Sequence, residues 1–238
     1  MKALTIRKPK SFEGRRGGDA ARTMDEVLAR WETLRPLYED FCHLVRQTLA
    51  DRIQERAVRI HSIEARVKSA ASIERKIPMT FEAKRSQDID DPLRGVTDLA
   101  GVRVITFFPR TVSTIDTIIR ERFFILEKDN KSETLKASGR FGYQSVHYLV
   151  ELPPEEIDRP DRMGFRGLVA EIQVRTILQH AWAEIEHDLQ YKSVRSMPSS
   201  TRRRLCALAG MLEVADREFQ AIHDEDEKLR KHENRPSE

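Results

Sequence analysis

Along this chain apolar and polar residues alternate with a period of two in several short stretches and recur every three or four residues in longer ones, a mixture that predicts strands and helices packed together. The stretch from Ala170 to Lys192 passes from one pattern to the other. Ala170, Ile172 and Val174 alternate with Glu171, Gln173 and Arg175, so a carboxylate, an amide and a guanidinium project from one face of a strand. A helix is expected from Thr176, with Ile177, Ala181, Ile185 and Leu189 as an apolar stripe broadened by Trp182, so that helix and strand share one core. The polar face suits a polar ligand such as a nucleotide, with or without a metal; the plainer reading is the solvated side of an edge strand.

Upstream, Thr23 and Glu26 have capping-box spacing ahead of a helix through Val27, Trp31, Leu34, Tyr38, Phe41, Val45 and Leu49, which Pro36 is expected to kink or divide. A strand runs from Val58 through Ile60, Ile63 and Val67, with Arg66 and Lys68 on one side. Ser69 or Ser72 then opens a helix through Ile73, Ile77 and Phe81 that carries Arg75, Lys76, Lys84 and Arg85. Cations at a strand end facing cations on a helix can hold a polyphosphate, although a solvated basic helix has the same pattern. After a turn over residues 88–94, Val102 and Val104 mark a central strand with Asp98 just before it and Gly101 allowing close backbone approach. A helix over Thr111–Arg122 and a strand over Phe123–Glu127 follow, then a polar, glycine-bearing loop from Asp129 to Gly142. Beyond it Tyr143, Ser145 and His147 share one strand face and Val146, Tyr148 and Val150 the other. Tyr143 at the loop exit suits stacking on a base, or ordinary cross-strand packing. Pro153 to Gly167 reads as a loop. A last helix through Leu205, Leu208, Leu212, Ala215, Phe219 and Ile222 is expected to end in an acidic, mixed-charge tail from Asp224.

Composition narrows the class. With 238 residues, 34% charged and 39% apolar, the chain is large enough for one domain with helical extensions and carries a surface rich in charge. No apolar run approaches the roughly 20 residues of a membrane span, and no signal-peptide core opens the chain, so a cytoplasmic protein is expected. The formal charge is only +3, yet residues 1–22 hold seven Lys or Arg against Glu13 and Asp19, a basic arm expected to be disordered and also suited to touching phosphate. Cys42 and Cys206 lie in separate helical patterns and are expected to be buried free thiols. His180 and His187 lack a third ligand at metal spacing.

Four blocks in order, Arg66-Val-Lys68 with Ser72-Ile73 and Lys76, then DLAGVRV, GYQSVHY and AEIQVRTILQHAWAEIEHDLQYK, resemble the synthetase domain of the RelA/SpoT family of alarmone synthetases over roughly residues 55–192. In length the chain is similar to the small, single-domain members. The resemblance implies an α+β fold with a mixed, nucleotidyltransferase-like sheet flanked by helices. It also implies transfer of pyrophosphate from ATP to the 3′-hydroxyl of GTP or GDP with Mg2+. By the same resemblance Arg66, Lys68, Lys76 and Arg103 contact ATP phosphates, Asp98 and Glu171 are the acidic magnesium ligands, and Glu171 is also a candidate to activate the acceptor hydroxyl. Tyr143, His147 and Gln173 serve the acceptor nucleotide. A basic residue common in the family one turn beyond Lys76 is Met79 here, with Lys84 or Arg85 as substitutes. The expected organisation is a basic arm over 1–22, the synthetase domain with its first helix over 23–195, a C-terminal helix over 196–223 and a charged tail over 224–238. Two alternatives stay open: a relative that modifies the 3′ end of tRNA, and a non-catalytic binder of guanine nucleotides. A homo-oligomer is left open as well. Glu184, on the last helix of the match, is expected to lie outside the site.

Overall fold

A computed structural model describes residues 24–83, 92–130, 145–192 and 198–233. Helix α1 (Met24–Glu55) leads to strand β1 (Ile60–Val67), helix α2 (Ala70–Ala83), strand β2 (Ala100–Thr106), helix α3 (Pro109–Arg122) and strands β3 (Phe124–Asn130) and β4 (Val146–Glu151). Strand β5 (Ala170–Thr176) and helices α4 (Ile177–Lys192) and α5 (Ser199–Glu233) complete the order. The five strands form one mixed sheet, β1-β2-β5-β4-β3, in which β2 and β5 are parallel and every other pairing is antiparallel.

One face of the sheet is apolar and covered. Val102, Val104, Ile172, Val174, Tyr148 and Val150 meet Phe41, Val45, Leu49 and Ile53 of α1 and Ile115, Ile118 and Ile119 of α3. Each such buried side chain contributes about 1.5–3 kcal/mol relative to exposure. A second cluster joins Val27 and Trp31 of α1 to Ile73 and Ile77 of α2 and to Leu93, Val96 and Leu99 before β2. Because both clusters hold α1, the helix is not divided at Pro36, where a kink or a division was expected. The burial of Trp31 on one side and Phe41 on the other outweighs the missing backbone bond.

Several boundaries differ from the pattern in the sequence. β1 begins at Ile60 rather than Val58, since Val58 still closes α1: its N–H reaches the Ile53 carbonyl at 2.9 Å and that of Ala57 reaches Gln54 at 2.9 Å. α3 starts two residues early, at Pro109, whose fixed φ suits a first helical position. The loop from Pro153 to Gly167 contains a helical turn at Pro154–Ile157 and another at Met163–Phe165.

The C-terminal helices depart most. The stripe expected to bury α4 faces outward: Ala181, Ile185 and Leu189 are exposed, while Leu178, Trp182 and Ala183 pack on Ala209 and Leu212 of α5. α5 in turn does not dissolve at Asp224 but continues to Glu233. Pairs such as Asp226–Arg230 at 2.9 Å support a helix through a run that composition alone reads as a tail. Its inner face is polar beyond Leu212, with Asp216 on Thr176 at 2.6 Å, Gln220 accepting from the Arg110 amide at 2.9 Å and His223 against Phe108. Leu208, Phe219 and Ile222, part of the apolar run that marks this helix in the sequence, are exposed. No described helix is long and apolar enough to cross a membrane, and both cysteines are free, Cys42 buried as expected but Cys206 only half-buried.

Candidate active site

The other face of the sheet carries the polar alternation of β1, β2, β5 and β4 in two rows. Register sets Arg66, Gly101 and Glu171 at one level and Glu64, Arg103, Gln173 and His147 at the next. A cleft of about 180 Å3 opens over these rows, between Arg66 and Asp98 on one side and Glu171, Gln173 and Glu184 on the other. Parallel pairing of β2 with β5 is what brings the DLAGVRV and EIQVRT segments, seventy residues apart, into register.

Asp98 sits in the turn leading into β2, fixed from below by buried Leu99, whose carbonyl accepts from the Lys68 amide at 2.9 Å. Its two oxygens take different lysines, Lys68 at 2.5 Å and Lys76 at 2.7 Å. Burial alone would raise the Asp98 pKa; the two ammonium groups outweigh it and hold the carboxyl below its ordinary range. Lys76 comes from α2, so the cluster under Trp31 also aims this cation.

Glu171 is held by donors from two strands. His147 Nδ1 lies 2.9 Å from Oε1, and Gln173 Nε2 donates to Oε2 at 2.7 Å. An ionised carboxylate only accepts, so His147 donates to it from Nδ1, while its Nε2 pairs with Ser145 Oγ at 2.7 Å. Arg175 extends the chain by donating to Gln173 Oε1 at 2.9 Å. Burial pushes Glu171 upward, but His147 and then Gln173 prevail and its pKa lies below the ordinary value; Asp98 opposes them, so the two carboxylates feel each other across the cleft. Arg175 is buried, and desolvation followed by the Arg103 charge lowers it to about 10.

Arg103 bridges two carboxylates, Glu184 at 3.2 Å and Glu64 at 3.7 Å. Glu184 therefore lines the cleft, contrary to the expectation that it lies outside. α4 leaves β5 through a reciprocal cap, with Thr176 N–H to Gln179 Oε1 at 2.8 Å and Gln179 N–H to Thr176 Oγ1 at 3.1 Å. That exit angle carries Glu184 back over β2. Glu64 was also missed, although period two sets it beside Arg66 on the same strand face. Gly101 is not required by its protein neighbours, since an added Cβ would meet Arg66 no closer than 3.7 Å. Tyr143, Lys84 and Arg85 lie outside the described residues, as does Thr23 of the expected cap.

Among the described residues no group of three or more His, Cys, Asp and Glu is built to hold a metal by itself. Two carboxylates feeling each other across a cleft nevertheless fit magnesium, which takes one or two protein carboxylates and completes its shell with water and substrate oxygens.

The model of the region found in RelA/SpoT proteins matches residues 65–196, more than half of the chain and all of the cleft except Glu64. The chain belongs to the RelA/SpoT family. A similar curated protein is the GTP pyrophosphokinase YjbM of Bacillus subtilis (strain 168), 27% identical over 168 residues that span 70% of this chain and 73% of that one. Among solved structures, small alarmone synthetase 1 of Bacillus subtilis superposes with a TM-score of 0.66 at 23% identity, covering 84% of this RelA/SpoT chain and 98% of the other. A GTP pyrophosphokinase family protein from Streptococcus pneumoniae does so with a TM-score of 0.65 at 26% identity, covering 84% and 96%. The mixed sheet with helical extensions is thus the fold of those synthetases.

Proposed function

We propose that this chain is a GTP pyrophosphokinase that transfers the β,γ-diphosphate of ATP to the 3′-hydroxyl of GTP or GDP. The observation that carries the reading is the division of one cleft into two chemically different halves. Lys68 and Lys76 gather positive charge on Asp98, with Arg66 beside it on the same half, while Arg103 lies between Glu64 and Glu184 and Glu171 is held by His147 and Gln173 on the other. The relative's name as a GTP pyrophosphokinase supports the same chemistry.

In the reaction the acceptor O3′ forms a bond to Pβ, the bond from Pβ to the oxygen bridging Pα breaks, and AMP leaves with that oxygen. Such transfers ask the protein mainly for alignment and charge neutralisation. Arg66, Lys68, Lys76 and Arg103 neutralise the phosphates; the two lysines exchange Asp98 for phosphate oxygens as the donor enters. Asp98 and Glu171 would then be free to hold magnesium, which supplies charge stabilisation at the transferring group. Glu171, kept ionised by its donors, accepts the hydrogen bond of the incoming hydroxyl and orients it; the proton departs through the carboxylate or water. A depressed pKa makes Glu171 a better orienting acceptor than a strong base. His147 and Gln173 hold that carboxylate in place and lie at the acceptor edge, where Tyr143 would stack on the guanine.

The test is to incubate the purified chain with ATP labelled at the β or γ position and with GTP or GDP, and to separate the nucleotides. Guanosine penta- or tetraphosphate that carries the label from either position, with AMP released in equal amount, is expected. Label appearing only on the 3′ end of added tRNA, and in no guanine nucleotide, replaces this reading with RNA modification.

A further inference from the structure

One of the two side chains that hold Glu171 does not by its shape decide which way it faces. The amide of Gln173 carries an oxygen on one side and an NH2 group on the other, nearly equal in size, and only the NH2 can serve a carboxylate. What the amide touches on its far side makes the choice.

Strand register places that far side. Val146 stands opposite Val174 and His147 opposite Gln173, so the antiparallel pairing sets Ser145 opposite Arg175. Both of these are buried, Ser145 at 6% and Arg175 at 5% exposure. Ser145 pairs with His147 Nε2 at 2.7 Å, and Arg175 donates to Gln173 Oε1 at 2.9 Å. His147 and Gln173 then reach different oxygens of Glu171, at 2.9 and 2.7 Å. On each strand a buried residue thus acts through its neighbour on the same carboxylate.

Arg175 is the decisive end, because a guanidinium only donates whereas a hydroxyl both donates and accepts. With Arg175 in place the Gln173 amide turns its oxygen inward and its NH2 toward Glu171. Reversed, it would set donor against donor at Arg175 and oxygen against oxygen at Glu171. Charge pairing does not explain the guanidinium: among the described residues it forms no ion pair, and its Nε has no hydrogen-bond acceptor. Burial and the neighbouring Arg103 both work against its charge. An apolar side chain of similar length would cost less in such a place. Nor does Arg175 belong to the described lining of the cleft, which on β5 comes from Glu171 and Gln173.

We propose that Arg175 is a positioning residue for the transfer: it fixes the amide of Gln173 so that Gln173 donates to Glu171 and holds that carboxylate where the acceptor hydroxyl arrives. The role rests on the reading of Glu171 as the group that orients this hydroxyl.

Two measurements on the full chain test it, with circular dichroism as a control for folding. The first needs no turnover. In a chain labelled with isotopic nitrogen in its glutamine side chains, the magnetic resonance signal of Gln173 is the one lost in Gln173→Met. Its NH2 protons are expected to exchange slowly in the wild-type chain and at least about tenfold faster in Arg175→Met, the scale of one hydrogen bond to a charged group. The second is steady-state kinetics with ATP and GTP. Arg175→Met should lower kcat about ten- to thirtyfold and leave the KM for ATP within about twofold. Gln173→Met should lower kcat similarly, and the double variant should fall no further than about twofold below either single one, since the two act as a unit. Arg175→Lys keeps a donor for the amide oxygen and should hold kcat within about threefold of wild type. Arg175→Leu carries the same expectations as Arg175→Met should the latter not fold. Unchanged exchange at Gln173 in a folded Arg175→Met chain overturns the proposal. So do losses that multiply in the double variant, or a raised KM for ATP with kcat kept, which would put the guanidinium on the donor itself. A wild-type chain that makes no guanine product overturns the reaction and the role in it, while the exchange measurement still reads the contact of Arg175 with Gln173, so the two failures are told apart.

Discussion

Every carboxylate on the cleft is already partnered within the chain, and this shapes what single substitutions do. Glu171→Gln keeps an oxygen for His147, removes the charge and sets its amide NH2 against the Gln173 donor; the shape is kept and the fold should survive, while turnover with ATP and GTP falls by at least about a hundredfold, the usual scale for losing a positioned proton-accepting group. Steady-state rates beside a thermal melt check both halves; near wild-type turnover would remove Glu171 from the centre of the site. Glu184 makes a different demand. It holds Arg103 at 3.2 Å but is itself about half exposed, so the pair is worth no more than about 1 kcal/mol. Glu184→Gln should therefore free Arg103 for phosphate and lower the KM for ATP up to about fivefold, with kcat nearly unchanged. A raised KM would mean that Glu184 positions Arg103 for the nucleotide. The sequence hides this contact: a carboxylate on a helix two residues from a buried Trp182 carries no sign that its neighbour is a strand Arg eighty-one positions earlier.

At the scale of elements, strands were readable because alternation states both which residues face together and which face is wet. Thus Glu171, Gln173 and Arg175, and Ser145 with His147, lie where the pattern puts them. Helices were readable as helices but not in what covers them. A 3.6-residue period announces an apolar stripe, and only packing decides whether sheet, helix or another chain buries it. α4 illustrates this, for Ala181, Ile185 and Leu189 of the stripe expected inside are left outside. The end of α1 shows a finer feature that no pattern announced. Ala57 has φ of 50°, and with the Val58 and Ala57 bonds to Ile53 and Gln54 it completes a Schellman motif at a position that usually takes glycine. An L-residue is strained there by about 1 to 2 kcal/mol. Ala57→Gly should raise stability by up to about 1 kcal/mol in urea unfolding, less than the strain because glycine costs more entropy on folding; a loss of stability would show that the backbone at Ala57 differs in solution.

Across the whole molecule, α5 is tied to the sheet by a buried carboxyl. Asp216 is 3% exposed, takes the Thr176 hydroxyl at 2.6 Å, and is raised by burial to about 7. A carboxyl whose folded pKa exceeds its unfolded value binds its proton more tightly when folded, so its contribution to stability is complete below about pH 4 and is lost as pH rises through about 7. Asparagine still accepts the Thr176 hydroxyl but does not ionise. The stability of Asp216→Asn relative to wild type should therefore rise by roughly 2 to 3 kcal/mol between about pH 5 and pH 8, at 1.4 kcal/mol per pH unit in the sloping range. Equal pH profiles in denaturant titrations would refute the buried charge.

Charge is also divided unequally along the whole chain, and that division separates the two acceptors that the chemistry allows. The formal charge is +3, and residues 1–22 hold seven basic against two acidic residues, so removing that excess of five leaves −2 on residues 23–238. A guanine nucleotide would be held within the cleft, whose described lining comes from residues 64–184. Its use should not depend on the first twenty-two residues. A transfer RNA would have to be gripped beyond the cleft, and a body of slightly negative charge offers its phosphates little; binding through Lys and Arg also falls steeply with salt as counterions are retaken. The chain lacking residues 1–22 should therefore make guanosine penta- or tetraphosphate within about threefold of the full chain, a barrier change below about 1 kcal/mol, with the same weak salt dependence. Chromatography of nucleotide products beside a gel of end-labelled transfer RNA reads both acceptors at once. Loss of labelled RNA on truncation, with no guanine product from either chain, would establish RNA as the substrate and the basic arm as the means of holding it.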